Sequence, residues 1–381
     1  MIVRTGLRRA SNVTLGLFIA AGCTGAFAAD QVVPQLLVVK NGAAQLPVQV
    51  NPYNREIRYR GRWDVRQKAG PRCQWSDAGF QFRFKGSSAN VVINDLGTSN
   101  MFEVVVDGKP ASVIEDAHGQ HTYQVCSFAR PGVHNIALYK RTEAFFGIAQ
   151  LDGLQLSTGA KLLPLPRSNG RRIEVIGDSI SCGYGDESKN QNSKFKAQTE
   201  DAYETYGAIA ARYFGAEFSD IAWSGRKMWP DNTTPSIYAY SLPTDTNSTW
   251  DYSKWVPQAI IINLSTNDFN GSTPSVKDWT GGYEAFITRL RKHFPKAIIF
   301  VASSPMEGGS RSTLIRTYLH KIVADEHAKG DNRVHFMNYA TEDPADGLGS
   351  GWHPSLKTHR IMASVTEAAI TKWLGWKSIR G

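Results

Sequence analysis

IEVIGDSISCGYG, residues 173–185, is a short apolar run that passes directly into Gly177-Asp178-Ser179. An apolar run of this length that ends at glycine is typical of a strand buried inside a parallel sheet. Two similar apolar runs follow, at residues 259–264 and 297–301. The three runs therefore predict neighbouring strands of one parallel sheet, with polar residues at their carboxyl ends.

Apolar residues at helical spacing lie between and after these runs. One helical face comprises Ala202, Tyr206, Ile209, Ala210 and Tyr213, and a second comprises Ile315, Leu319, Ile322 and Val323. A last helix is predicted over residues 355–373. Alternating strands and helices indicate a doubly wound parallel α/β domain, which we place at residues 171–381. In such sheets ligands bind beyond the carboxyl ends of the strands.

The pattern of residues 30–160 is different, because short alternating runs are separated by turns and no helical periodicity appears. The clearest runs are residues 80–84, 90–93, 102–106 and 135–139. Short strands at this spacing predict a β-sandwich, which we expect to be jelly-roll-like. Residues 162–170 contain prolines that disfavour regular structure, so they are interpreted as a connector.

The first 29 residues have the three parts of a cleaved signal peptide. They begin with basic residues, continue with an apolar stretch at residues 13–21, and end in small residues around Ala26-Phe27-Ala28. This pattern predicts a secreted or periplasmic protein. A buried N-terminal helix is one alternative. A lipid anchor at Cys23 is another, and it is less favoured because Ala20 stands where a larger aliphatic residue is usual.

The composition of the 381 residues, with 41% hydrophobic and 20% charged side chains, excludes collagen, low-complexity chains and disulfide mini-scaffolds. After the N-terminus, no apolar run approaches the roughly 20 residues that span a bilayer. The net charge of +9 is scattered, without the basic cluster that indicates nucleic-acid binding. We expect no nucleic-acid partner, no cofactor and a monomer.

The predicted export of the protein affects how its cysteines are interpreted. An oxidising compartment permits disulfides, and Cys73 and Cys126 both lie in the N-terminal half, which makes them the candidate pair. Cys182 would then remain a thiol. The sequence has no C-x-x-C pair and no H-E-x-x-H, so no metal site is predicted.

Four residues lie either at the ends of predicted strands or directly before the last helix. Ser179, Gly225 and Asn267 follow successive apolar segments, and His353 precedes the last helix. Each has an ordinary interpretation, as a turn or as a helix cap. Together at one edge of a sheet they supply a hydroxyl nucleophile, a base and donors for an oxyanion, which are the groups that acyl transfer requires.

These residues match, in order, the four sequence blocks of the SGNH (GDSL-type) hydrolase superfamily. More narrowly, residues 173–185, KRTEAFFGIAQLDGL at residues 140–154 and GWHPS at residues 351–355 resemble carbohydrate esterase family 2. The resemblance covers nearly all of the chain after the leader. It implies a β-sandwich joined to an SGNH domain that removes acetyl groups from plant cell-wall polysaccharides such as xylan and glucomannan, with a preference for the 6-hydroxyl of hexoses.

The resemblance also implies a role for each residue of the motifs. Ser179 would be the nucleophile and His353 the general base. The amides of Ser179 and Gly225 and the side chain of Asn267 would form the oxyanion hole. Asp178 is expected to brace its loop rather than to take part in the chemistry.

One departure from the superfamily pattern concerns the partner of His353. The aspartate that commonly lies two or three positions before the histidine is replaced here by Gly351 and Ser350, which offer no carboxylate. We prefer a Ser-His dyad in which a main-chain carbonyl holds His353. The alternative is a carboxylate from Asp343 or Asp346.

The substrate is predicted from three tryptophans near the motifs, Trp223, Trp229 and Trp352, whose ring faces would suit the C–H faces of sugars. Ordinary packing is the alternative for each of them. The expected partner is an acetylated polysaccharide or oligosaccharide. Two other functions remain open, a GDSL-type lipase or thioesterase and an inactive carbohydrate-binding protein. The polar, tryptophan-rich loop at residues 223–250 disfavours the acyl channel of the first, and the missing aspartate is the sole support for the second.

Overall fold

The computed structural model describes residues 48–230 and 234–379. The predicted signal peptide at residues 1–29, with Cys23, lies outside these residues. Within the described ranges, no helix is both long enough and apolar enough to cross a bilayer.

The N-terminal part is one antiparallel sheet of nine strands. The strand order is β1-β8-β4-β7-β5-β6, with β2 and β9 paired to β4 and β3 paired to β8. The bounds are β1 Val48–Val50, β2 Ile57–Arg60, β3 Arg72–Cys73, β4 Gly79–Asp95, β5 Met101–Val106, β6 Lys109–Glu115, β7 Gly119–Lys140, β8 Ala149–Leu156 and β9 Lys161–Leu163. We call residues 48–163 the β domain.

Alternation along the strands determines which side chains form the core of the β domain. Phe80, Phe82 and Phe84 on β4 are buried, whereas Gln81 and Arg83 between them are only partly covered. Burial of one such phenylalanine contributes about 1.5–3 kcal/mol. Residues from β2 to β8 meet in this one apolar core, so the sheet folds over on itself. The β-sandwich predicted from the alternating runs is confirmed. Its strands belong to one continuous sheet, because β4 and β7 are long enough to span that sheet.

The disulfide predicted between Cys73 and Cys126 is wrong, since both thiols are free. Cys73 is paired with Ala149 of β8, which is in turn paired with Asp95 of β4. Cys126 is paired with Ala89, near the middle of β4. Ala89 and Asp95 are about 20 Å apart along the strand. A disulfide requires Cα atoms within about 7 Å of each other. Both cysteines contact the same core, but at different heights.

The second part is a parallel sheet of five strands in the order β11-β10-β12-β13-β14. The bounds are β10 Arg172–Gly177, β11 Glu217–Ala222, β12 Ala259–Asn263, β13 Ile298–Ala302 and β14 Val334–Met337. We call residues 172–379 the α/β domain. Because β10 is first in the chain yet lies between β11 and β12, the direction of winding reverses at its carboxyl end.

Helices cover both faces of this sheet. They are α1 Ser179–Cys182, α2 Tyr206–Phe214, α3 Thr234–Ile237, α4 Val276–His293, α5 Gly309–Ala328 and α6 Leu356–Leu374. On β12, Ile260 and Ile262 pack in the cluster with α4 and α5, whereas Ala259 and Ile261 pack in the cluster with α2 and α6. Alternate residues of one strand thus point to opposite helix layers, and the predicted doubly wound α/β domain is confirmed.

Buried ion pairs join the two domains, and all described residues fall in one compact unit. Arg62 of the β domain lies 3.3 Å from the Glu174 carboxylate on β10. Arg141, directly after β7, bonds Glu103 at 2.7 Å within the β domain and Asp201 of the α/β domain at 3.0 Å. The domain junction is therefore a fixed part of the molecule and extends to the loops beside the first helix of the α/β domain.

Candidate active site

Three of the four predicted catalytic residues follow neighbouring strands. Ser179 comes after β10, Gly225 after β11 and Asn267 after β12, at the same edge of the sheet. The fourth, His353, lies just before α6. The site is therefore at the carboxyl end of β10, where the winding of the sheet reverses and where ligands bind in such folds.

A tight turn between β10 and α1 presents the Ser179 hydroxyl. A Cβ atom at Gly177 would lie 2.1 Å from the Ser181 hydroxyl oxygen, so the turn requires glycine at that position. The Asp178 side chain caps α1 by accepting a hydrogen bond of 3.1 Å from the Ile180 amide. Ser179 is thus the first residue of α1 and is 6% exposed.

The structure brings Ser179 and His353 together, with 2.7 Å between the serine Oγ and the histidine Nε2. The other ring nitrogen, Nδ1, lies 2.9 Å from the main-chain oxygen of Ser350. Ser350 is itself fixed, because its hydroxyl donates to the Ser193 carbonyl at 2.6 Å and its amide to the Gly185 carbonyl at 3.0 Å. A carbonyl held in this way orients the imidazole so that Nε2 faces the serine.

The surroundings of His353 favour a neutral ring. Burial lowers the pKa of His353 from 6.5 to about 4, and the hydrogen bonds to Ser350 and Gly351 oppose this shift only in part. The Tyr184 ring lies beside the imidazole, with 4.5 Å between the ring centroids. With a proton on Nδ1 directed at the Ser350 carbonyl, Nε2 is free to accept the proton of Ser179.

The two aspartates proposed as alternative partners are engaged elsewhere. Asp343 accepts a hydrogen bond of 2.9 Å from the Ala345 amide at the start of a short 3₁₀ turn. Asp346 lies 2.5 Å from the Lys357 ammonium. Neither carboxylate hydrogen-bonds to His353 in the part of the chain that the structure describes.

Hydrogen bonds from Asn267 connect the loops that carry the other catalytic candidates. Its amide nitrogen donates to the Arg226 carbonyl at 3.0 Å and to the Asp178 carboxyl at 3.3 Å. Asp178 precedes the serine and Arg226 follows Gly225, so all three strand-end loops meet here. Burial raises the pKa of Asp178 to about 7. Its contacts with the Ile180 amide and with Asn267 support the expected bracing role.

Asp268 is a site residue that the sequence analysis missed. Its Oδ1 accepts hydrogen bonds from the amides of Met228 at 3.0 Å and Trp229 at 2.7 Å, and from the Trp279 indole at 2.9 Å. These bonds fix the loop after Gly225 against α4. The only signal in the sequence is the position of Asp268 directly after Asn267, a pair for which a helix cap is the ordinary interpretation.

The three tryptophans differ in how they are presented. Trp352 is 57% exposed and has a φ of +67°, a left-handed conformation that is uncommon for a bulky residue and is often found at functional sites. Trp229 is 40% exposed. The Trp223 ring is partly covered by the Arg226 guanidinium, 4.4 Å from its centroid. Contact between these rings and a sugar remains a prediction.

The polar groups at this edge of the sheet suit acyl transfer. A serine hydroxyl, a neutral imidazole and amide donors are the groups that nucleophilic attack on an ester needs. Among the described residues, no three His, Cys, Asp or Glu side chains are grouped so that they could hold a metal ion.

Comparisons with known proteins agree with this geometry. The N-terminal domain of carbohydrate esterase 2 matches residues 59–166, and the GDSL-like lipase/acylhydrolase family matches residues 175–361. The cellulase/esterase CelE of Acetivibrio thermocellus is 37% identical over 339 residues, which is 87% of this chain but only 41% of CelE. An acetylxylan esterase/glucomannan deacetylase of Cellvibrio japonicus is 26% identical over 317 residues, 79% of this chain and 86% of that protein.

A solved structure covers the whole two-domain arrangement. A family two carbohydrate esterase from Clostridium thermocellum, in complex with cellohexaose, aligns with a TM-score of 0.81 and 37% sequence identity. The alignment covers 84% of this chain and 99% of that one. At this identity and coverage the relationship includes both domains and the loops between them. The chain belongs to carbohydrate esterase family 2.

Proposed function

We propose that this protein removes O-acetyl groups from plant cell-wall polysaccharides by a Ser-His dyad. The observation that carries the proposal is the 2.7 Å contact between the Ser179 hydroxyl and His353 Nε2 at the end of β10. The relative named as an acetylxylan esterase/glucomannan deacetylase supports the reaction, and the cellohexaose complex supports a glycan substrate.

In the first half of the reaction, Ser179 Oγ attacks the acetyl carbonyl carbon while His353 Nε2 takes the hydroxyl proton. A serine hydroxyl is almost never ionised at neutral pH, so attack requires this base. The imidazolium that forms keeps its Nδ1 proton on the Ser350 carbonyl. That carbonyl dipole takes the place of the carboxylate that holds the histidine in a triad.

The carbonyl oxygen becomes an oxyanion and needs donors. In this proposal the amides of Ser179 and Gly225 and the side chain of Asn267 supply them. Both amide protons of Asn267 already have acceptors, namely Arg226 and Asp178. The oxyanion would therefore replace one of these acceptors, and the 3.3 Å bond to Asp178 is the longer of the two.

In the second half, the intermediate collapses and the sugar oxygen leaves with the proton from His353. The acetyl group stays on Ser179 as an ester. Water, deprotonated by His353, then attacks this ester, releases acetate and restores the serine hydroxyl. Each step moves one proton through Nε2, so one base is sufficient for both halves.

The exposed tryptophans explain why the substrate would be a glycan. Trp352 is next to His353 in the chain, Trp229 lies on the loop after Gly225, and both indoles are exposed. Indole faces pack well against the C–H faces of sugars. We propose xylan and glucomannan as substrates, with the 6-O-acetyl group of hexoses favoured. We also propose that the chain acts as a secreted or periplasmic monomer.

The substrate proposal is tested by following acid release from acetylated glucomannan, acetylated xylan and long-chain acyl esters, with the Ser179→Ala variant as the blank. Serine-dependent release of acetate, with the long esters untouched, is the expected result. Cleavage of the long esters alone would indicate a GDSL-type lipase or thioesterase. Glycan binding without any ester cleavage would indicate an inactive carbohydrate-binding protein.

Asn267→Ala is expected to lower kcat by about 10²–10³-fold, because it removes one preorganised oxyanion donor. The KM should change little, since the donor acts on charge that appears only in the transition state. Steady-state kinetics on an aryl acetate measures both constants. Asn270→Ala, an exposed position on the same loop, is the matched control. An unchanged kcat in Asn267→Ala would remove this side chain from the oxyanion hole.

Asp343→Ala and Asp346→Ala are each expected to keep kcat within about twofold of the unmodified enzyme. Both carboxylates are occupied by other partners, so the loss of either leaves the contact between His353 and Ser350 intact. The same kinetic assay checks this. A fall of a hundredfold or more in one variant would identify that aspartate as a third catalytic member and contradict the dyad.

A further inference from the structure

The β domain extends a carboxylate into the active site. Glu143, three residues beyond β7, accepts a hydrogen bond of 2.7 Å from the Ser224 amide on one oxygen and a bond from the Ser224 hydroxyl on the other. Ser224 directly precedes Gly225, whose amide is a candidate oxyanion donor. Two hydrogen bonds from one residue to both oxygens of a carboxylate fix the position of that residue closely.

The same carboxylate also contacts the helix that carries the nucleophile. The thiol of Cys182 lies 3.8 Å from the Glu143 Oε2 atom. Cys182 is the last residue of α1, and Ser179 is the first. Glu143 therefore lies between the two segments whose amides would form the oxyanion hole, and it contacts both of them.

Buried groups hold Glu143 in place. Its main-chain amide donates to the Glu200 carboxyl at 3.1 Å, and the Lys140 ammonium donates to its carbonyl at 2.9 Å. All three side chains are fully buried. Burial and the adjacent Glu143 raise the pKa of Glu200 well above its ordinary value. Burial also raises the pKa of Glu143, whereas the hydrogen bonds from Ser224 lower it and favour a carboxylate that accepts both Ser224 donors.

Gly225 depends on such outside support. It is exposed, its φ is +76°, and among the described residues other than its two chain neighbours no atom lies within 4 Å of the position that a Cβ would take. Packing against a side chain therefore cannot fix its amide. The position of that amide is set by the hydrogen bonds of adjacent residues, of which the bonds between Ser224 and Glu143 connect the loop to the other domain.

We propose that Glu143 is a positioning residue that holds Ser224, and with it the Gly225 amide, at the oxyanion hole, so that the β domain completes the active site. The inference rests on the proposed function, because it assigns Gly225 to the stabilisation of an ester oxyanion. A misplacement of about 1 Å can cost about 10²-fold in rate. The contribution of the β domain would therefore appear in kcat and not in substrate binding.

The kinetic test uses Glu143→Gln in the full chain. Glutamine can still accept from the Ser224 amide, but its NH₂ group cannot accept from the Ser224 hydroxyl, so that bond must reverse its direction. The two charge-assisted hydrogen bonds become weaker neutral ones, and the loop is held less firmly. We expect kcat on an aryl acetate to fall about 10- to 100-fold with KM within about twofold. Glu174→Gln is the matched control, since Glu174 is an equally buried carboxyl that joins the domains through Arg62 and also accepts from Tyr238, away from the oxyanion loop.

Ser224→Ala tests the same contact from its other side. It removes the hydroxyl bond and keeps the amide bond, so we expect a kcat decrease of several-fold. Combined with Glu143→Gln, it should add little, because both variants break one interaction. The proposal is overturned if Glu143→Gln keeps kcat within twofold, or loses no more than Glu174→Gln does. If Glu143→Gln does not fold, an unchanged kcat in Ser224→Ala overturns it.

Amide hydrogen exchange provides a readout that needs no substrate. The Ser224 amide is expected to exchange faster in Glu143→Gln than in the unmodified chain, and to be unchanged in Glu174→Gln. Equal exchange in all three would overturn the positioning role, whatever the chain cleaves. Absence of ester cleavage by the unmodified chain would instead contradict the proposed function, so the two failures are distinguishable.

Discussion

Ser179→Ala is expected to lower the rate of acetate release about 10⁴-fold or more. The substitution removes one oxygen atom, the atom that lies 2.7 Å from His353 Nε2 and that would become acylated. It leaves the main-chain amide of residue 179 in place, so donors of the oxyanion hole persist and some residual catalysis is expected. Release of acetate from acetylated glucomannan, followed by an enzymatic assay for acetate, measures the effect.

Ser181→Ala is the matched control for this variant. Ser181 lies two residues further along α1 and is equally buried, but its hydroxyl bonds the Tyr206 hydroxyl at 2.9 Å instead of His353. Its loss should leave turnover within a few-fold of the unmodified enzyme. Binding of acetylated oligosaccharide by Ser179→Ala should be retained. Turnover of Ser179→Ala above one hundredth of the unmodified rate would remove the serine from its assigned role.

The sequence was most informative about the fold where local pattern and burial agree. Each apolar run that was interpreted as a buried strand forms one, because a strand covered on both faces needs apolar side chains throughout. Helix α4 was not predicted, because Gly281-Gly282 interrupts its middle and glycine disfavours helices. Its stability comes from tertiary burial of Trp279, Tyr283 and Phe286 and from the Ser275 cap, which accepts from the Asp278 amide at 3.1 Å.

For the candidate site, the strand-end rule correctly predicted that Ser179, Gly225 and Asn267 would meet. The contacts that fix them could not be predicted in the same way. Glu143 bonds Ser224 across 81 residues and from the other domain, so no spacing rule applies to it. The Ser350 carbonyl belongs to the main chain, which every residue has, and its selection by His353 depends on loop conformation. The sequence therefore identifies the reacting side chains more readily than the contacts that orient them.

His353→Ala is the second change for which we expect a loss of about 10⁴-fold or more in kcat. Without the imidazole, the Ser179 hydroxyl has no base, and the leaving sugar oxygen has no acid. Combining it with Ser179→Ala should give little further loss, since the two groups act as one unit. His335→Ala is the control, because that histidine is also buried with a pKa near 4 but is stacked on Trp373 and remote from the serine.

The pH dependence of kcat/KM is a second test of His353 as the general base, and the direction of the expected change is fixed. Only the neutral imidazole can accept a proton, so kcat/KM must fall as the pH decreases through the pKa of His353. Burial lowers that pKa to about 4, well below the ordinary 6.5, and no carboxylate among residues 48–230 and 234–379 is paired with Nδ1 to raise it again. The unmodified enzyme should therefore keep most of its kcat/KM down to about pH 5. A half-maximal point near pH 6.5 would mean that burial does not lower the pKa of His353. A half-maximal point well above pH 6.5 would mean that an anionic partner stabilises the imidazolium, as a carboxylate does in a triad, and would contradict a dyad held by the Ser350 carbonyl.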